Sequence, residues 1–225
     1  MELLDKQKHA DLRIQQPSWR NDHFRQIMVN EFSAAASVCP IFLTKNPETG
    51  DFYAGALFGF TANENLLAEQ PEIAGAFQPL DLAREAFYIT GENISIDPEH
   101  SRFSETAGEP LFESDGEPSD VLRKIQRVLG QMNIGMAETE RFIAALLADS
   151  LVEPLDISLR FDDGETVNLQ GLYTVSLDRL HELDDAQVLA LFRAGHLQLI
   201  YTMAASLKQV NILAHRRNMR LTAAA

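Results

Sequence analysis

A single cysteine in 225 residues, Cys39, excludes an intramolecular disulfide and any zinc site built on cysteine pairs. Its neighbours Val38 and Pro40 suggest an inert, buried thiol. Basic residues are scarce: 19 Lys and Arg stand against 33 Asp and Glu, a formal net charge of −14. So acidic a chain is repelled by duplex nucleic acid and by anionic membranes unless its positive charge is clustered. The cluster that exists, Arg216, Arg217 and Arg220 with Lys208 and His215 nearby, reads as a solvated helix end favoured by the macrodipole. No nucleic-acid partner is therefore expected.

Long apolar runs are missing as well. The most apolar window, Val188 to Leu207, contains Arg193, His196 and Gln198 and falls short of a membrane span. The opening residues, Met1-Glu2-Leu3-Leu4-Asp5-Lys6, lack the charged and apolar regions of a secretory signal, so a soluble, cytoplasmic protein is expected. There is no Gly-x-Ser-x-Gly elbow, no Walker loop and no Gly-x-Gly-x-x-Gly after a strand. Phe58-Gly59-Phe60 lacks the glycines that hold a pyrophosphate, and no cofactor is expected.

What is present is strong local order toward the C-terminus. Leu155, Ile157, Leu159 and Phe161 alternate with polar residues, as do Val167, Leu169, Gly171, Tyr173 and Val175 after Asp162-Asp163-Gly164-Glu165. That period of two around an Asp-Gly turn predicts an antiparallel hairpin. Asp184 and Gln187 form a capping box, with Leu183 and Val188 placed as a hydrophobic staple, and Gly195 interrupts or ends the helix that follows. Leu197, Ile200, Tyr201, Ala204 and Leu207 then trace another helix, with Tyr201 in its apolar stripe. Two helices meeting near a glycine allow a helix-turn-helix reading, against which stands the commoner packed pair.

Upstream, His9 to Ile14 suggests a short strand, Glu31 to Cys39 a short helix, and Ile41 to Thr44 with Phe52 to Phe60 a hairpin around Asn46 to Gly50. Gly55 and Gly59 share the face opposite Phe52, Ala54, Ala56, Phe58 and Phe60, which implies that another element approaches closely there. Asn63 to Leu82 reads as loop and short helix broken by Pro71 and Pro79, and Phe87 to Ile96 as a further hairpin. Gly108 to Pro118 is a connector, with Leu111 and Phe112 tucking it onto the core. From the N-cap Ser119 one helix runs until Asn133 and Gly135 break it, and a second, marked by Phe142, Ile143, Leu146 and Leu147, ends before Pro154. These elements give an α+β fold: a single domain over 1–225, strand-rich to 118 and helical beyond it, with a mainly antiparallel sheet of hairpins packed against several α-helices.

Glu31-Phe32 with Ala34-Ala35, Pro40-Ile41-Phe42, Gly59 with Glu64-Asn65-Leu66, Gly108-Glu109-Pro110-Leu111-Phe112 and Asp115-Gly116-Glu117-Pro118 follow one another in this order. Gly171-Leu172-Tyr173, Gly195-His196-Leu197, Ile200-Tyr201 and Ser206-Leu207 complete the series. In these stretches the chain resembles the bacterial SapC-like family, over about residues 9 to 213. The resemblance implies a surface-layer association, or a setting beside outer-membrane receptors and flavin-dependent halogenases. The permease label that travels with the family conflicts with a chain that has no membrane-length segment. From Pro71 to Phe87 the chain departs from the family's aromatic-rich pattern, which would change the ligand of a site built there.

Candidate chemistry is thin. His9-Ala10-Asp11 has the spacing of two ligands of a non-haem iron triad, with His100, His181, His196 or His215 as a third, though six histidines among many acids produce such a tripeptide by chance. Glu64, Asp97, Asp115 and Asp162 sit beside turns, and a pair could work as acid and base if brought together. Arg84, flanked by Phe77, Pro79 and Phe87, could hold a carboxylate or phosphate in bidentate fashion, or pair with Glu85 or another acid. Glu64, Asn65, Arg84 and Tyr201 are the candidate ligand-binding residues. The expected function is a non-catalytic binding or accessory protein acting with a partner protein or a small anionic ligand, with self-association left open. The alternatives are a metal-dependent enzyme using His9 and Asp11, and a surface-layer component.

Overall fold

The structure, a computed structural model, describes residues 1–68 and 77–224. Pro71 and Ile73, part of the stretch that departs from the family pattern, lie outside the described residues. The strands are β1 (Glu2–Leu3), β2 (Arg13–Ile14), β3 (Phe24–Gln26), β4 (Ile41–Lys45), β5 (Phe52–Leu57), β6 (Phe87–Thr90), β7 (Asn93–Ile96), β8 (Phe103–Ser104), β9 (Glu109–Pro110), β10 (Val152–Arg160) and β11 (Thr166–Val175). The α-helices are α1 (Phe32–Ala36), α2 (Leu80–Ala83), α3 (Asp120–Ala148), α4 (Leu177–His181), α5 (Asp185–Arg193), α6 (His196–Ser206) and α7 (Gln209–Ala224). The fold is α+β with antiparallel sheets, as the hairpin signals imply.

The chain forms two compact units, each discontinuous in sequence. The first comprises Met1–Ser18 and Leu80–Ile134. It holds two small sheets, β1-β7-β6 and β8-β2-β9, over a core of Ile14, Phe87, Ile96, Leu111, Leu122, Ile125 and Leu129. Leu111 anchors the connector with no exposed surface, while Phe112 is only half-buried and bridges to Pro118. Of the strand expected from His9 only Arg13–Ile14 forms.

The second unit comprises Trp19–Pro79 and Gly135–Ala225 and holds the five-stranded sheet β10-β11-β4-β5-β3. One sheet face is apolar through Ile41, Leu43, Ala54 and Ala56, and the backbone N–H of Ile41 donates to Ser206 Oγ of α6 at 2.9 Å. The small alanines let this face lie close to its helical cover. A single sheet of hairpins would include the Phe87–Ile96 pair, which instead lies in a sheet of its own unit. Its alternation fixes a hairpin but carries no information about which sheet receives it.

Two helix expectations meet different fates. At α5 the capping box forms: Asp184 accepts from the Gln187 N–H at 2.8 Å, and Gln187 Oε1 accepts from the Asp184 N–H at 3.1 Å. The expected break at Asn133 and Gly135 does not occur, because α3 runs unbroken for 29 residues. Gly135 is there for proximity: a Cβ on it would lie 2.8 Å from Met28 Cβ and 2.9 Å from Asn30 Oδ1. Gly195 adopts φ +76° between α5 and α6, as a helix-ending glycine does. Among the described residues no single helix is long and apolar enough to cross a membrane; α5 and the helical run after it pass that test only together, bent by 88°.

Candidate functional site

The sheet face opposite the alanines is built differently. Tyr53, Gly55 and Leu57 alternate on it, and the register sets Thr44 beside Tyr53 and Phe24 beside Leu57. Gly55 makes room for the Phe24 ring, whose Cζ lies 2.2 Å from where a Cβ would stand. That ring meets Tyr53 edge-on at 6.4 Å. Across β11 the pairing steps from Leu155–Leu172 to Ile157–Leu169, a bulge in β11 that Gly171 accommodates at φ +74°.

The result is an open cavity of about 540 Å³. Phe24, Leu57, Phe60, Leu169 and Leu172 supply apolar wall, and His23, Thr44, Tyr53, Asn168 and Gln170 supply groups that donate or accept hydrogen bonds. Thr44 is oriented, since its hydroxyl donates to the Gly171 carbonyl at 3.0 Å. Burial pushes the Tyr53 phenol above its ordinary pKa, so it stays a neutral donor near neutral pH.

Beside the cavity, Phe60 is held by a long-range clasp. Glu64 Oε2 accepts from the Phe60 N–H at 2.7 Å, and Gly59 packs so tightly that a Cβ would stand 2.2 Å from the Glu64 carbonyl oxygen. The Phe60 ring lies 5.5 Å from that of Phe161, over which the Arg217 guanidinium sits at 4.2 Å. Arg217 Nη2 donates to Glu165 Oε2 at 2.5 Å, and its Nε lies 3.7 Å from Glu64 Oε1. Asn218 Oδ1 accepts from the Asp162 N–H at 3.2 Å. Arg217 is therefore no solvated helix-end cation but 7% exposed. Helix propensity and composition could not reveal this, because its partners lie on a different loop and in the β10–β11 turn.

The residues singled out from sequence are distributed as follows. Glu64 belongs to the clasp. Asn65, 4% exposed, donates to the Trp19 carbonyl at 2.7 Å and accepts from the N–H groups of Leu67 and Ala68, so its amide is used in shaping the loop. Arg84 belongs to the first unit, where it pairs with Asp81 at 2.5 Å and lies 5.2 Å from the Tyr88 ring. Tyr201, expected as a core residue, is 48% exposed on α6; the buried side of this helix runs through Ile200, Met203 and Ser206, turned away from the stripe that the spacing suggests. Buried His9 engages Glu2 through Nε2 at 2.8 Å, and its Nδ1 faces the Asp5 N–H at 2.9 Å, while Asp11 is exposed. Among the described residues no three His, Cys, Asp or Glu side chains are placed to hold a metal ion. The cavity residues Thr44, Tyr53 and Leu172 do not stand out in the sequence; Gly55 and Gly171, each inside a strand, are the available signals.

Antiparallel sheets packed with helices place the chain among α+β proteins, with an open cavity on a sheet face of the second unit. The family model SapC matches residues 4–213, and the chain belongs to the SapC family. No curated protein and no solved structure matches it significantly.

Proposed function

We propose that the protein is a binding or accessory protein whose ligand site is the sheet-face cavity of the second unit. One observation carries this reading: a strand face that would otherwise pack a core is left as a cavity of about 540 Å³, within the range of small-molecule pockets. Apolar and hydrogen-bonding side chains line it in similar number, a mixture that can seat and orient a small, partly apolar molecule. The polar end of that molecule meets Tyr53 and His23, which can donate to a carboxylate or a hydroxyl, while Thr44, its hydrogen given to the Gly171 carbonyl, can accept from a hydroxyl.

The test uses phenol and benzoate as probes, followed by ligand-observed NMR on the full chain. Both should show saturation transfer, and Leu172→Trp, which fills the cavity, should abolish it while the melting curve holds. Leu169→Trp supplies a second variant, on the other side of the bulge, should the first fail to fold. Stronger binding of benzoate would support an anionic ligand, and stronger binding of phenol a neutral one. Absence of binding by either probe, or binding that both variants leave intact, overturns the assignment.

A further inference from the structure

β10 is the terminal strand of the five-stranded sheet, and among the described residues no strand pairs with its outer side. Its backbone phase can be fixed from its two ends. The Leu151 carbonyl accepts from the Ser176 N–H at 2.8 Å, and the Phe161 N–H donates to the Glu165 carbonyl at 2.9 Å. The extra residue of the bulge lies in β11, so β10 keeps its phase between these points. Odd-numbered residues of β10 therefore face β11, and the N–H and C=O groups of Asp156, Ser158 and Arg160 face the free edge. Pro154 agrees, since a strand tolerates proline where the missing N–H would point away from its neighbour.

The side chains along this edge are complementary to themselves. Asp156, Ser158 and Arg160 are exposed on one face, and Leu155, Ile157 and Leu159 are half-buried on the other. When two copies of β10 run antiparallel about a two-fold axis at Ser158, each Asp156 stands opposite Arg160 of the other copy. On the second face Ile157 meets Leu159. Three outward-facing residues per copy then exchange about six backbone hydrogen bonds. Axes at Asp156 or Arg160 would instead set like charges against each other, at a cost in stability. Pro154 falls opposite Asp162, beyond the partner strand's end, and costs the pairing nothing.

We propose that β10 is a self-recognition strand, through which two copies of this chain join their five-stranded sheets into one continuous antiparallel sheet. The occupant is a second copy because the charge pattern matches its own reverse about Ser158. A charge-bearing edge can also serve simply to keep other strands away, and the experiment separates the two roles.

Sedimentation velocity of the full chain across the micromolar range should give a mass twice the 25.1 kDa of the monomer. Arg160→Asp, which sets acid against acid twice, should weaken the dimer at least about tenfold, and Asp156→Arg should do the same with bases. The double variant carrying both changes should restore it, since the charges are exchanged but still opposed. In parallel, Ser158→Cys should form a disulfide-linked dimer on mild oxidation, because residues in such a pair stand at about disulfide distance. Asp156→Cys should not, as it faces a different residue. A wild-type monomer throughout, a double variant no stronger than the singles, or equal cross-linking of the two cysteine variants overturns the proposal.

Discussion

Arg84 and Arg217 each combine an acid and an aromatic ring, yet they belong to regions organised in opposite ways. Arg84 takes its partners from its own turn: Asp81 three residues before it and Tyr88 four residues after it. Arg217 draws on Glu64, Phe161 and Glu165, from a loop and a hairpin far along the chain. The first arrangement decorates a short helix. The second ties α7 to the β10–β11 turn and to the loop that holds Phe60, a wall of the proposed ligand cavity. An ion pair is structural where it spans the fold: a local pair closes almost no chain, whereas a distant one fixes segments that would otherwise be independent.

The largest effect is expected from Arg217→Ala. It strips the ring of Phe161, leaves Glu64 only 13% exposed without its cation, and should destabilise by about 3 kcal/mol in chemical denaturation. Arg217→Lys keeps the charge but loses the planar fork and the stack, and should recover only part of that loss. A lysine variant as stable as wild type would show that charge alone holds the clasp.

A second test contrasts two glycines of α3. Alanine is favoured over glycine in a helix by about 1 kcal/mol. At Gly130 a Cβ would have nothing within 4 Å of it, so Gly130→Ala should raise the melting temperature. At Gly135 the Met28 Cβ and Asn30 side chain stand in the way, so Gly135→Ala should lower stability by about 1–2 kcal/mol despite the same gain in propensity. Opposite signs in the two melting curves would establish that Gly135 serves packing. A stabilising alanine at both would return Gly135 to the role of an incidental helix weakener.

These contrasts mark what can be read from the chain alone. The capping box at Asp184, the left-handed Gly195 and the Asn46 to Gly50 turn are legible because every atom involved lies within a few residues. Gly55 and Gly59 are legible in part: their place in an alternating strand announces a close approach but not that Phe24 and Glu64 make it. Gly135 misleads because a glycine in a helix looks the same whether it weakens the helix or admits a neighbour. The assignment of hairpins to sheets, and the pairing of Arg217, depend on contacts between residues dozens of positions apart, for which a single sequence carries no periodic signal. The site suffers most. Its polar groups, Thr44 and Tyr53, sit at ordinary strand positions, and only the register of β4 with β5 sets them side by side.

Arg84→Ala should have the smallest effect of all. The pair with Asp81 spans one turn, and Arg84 keeps 27% of its side-chain surface in contact with solvent, so water replaces much of what the carboxylate offers. Pairs of this kind contribute a few tenths of a kcal/mol, and the stack on Tyr88 adds little more at a partly solvated position. The expected change in unfolding free energy is within about 0.5 kcal/mol, and it should shrink further as salt is added. A loss approaching that of Arg217→Ala would mean that Arg84 is fixed by more than its own turn, and the line between local and long-range pairs would have to move.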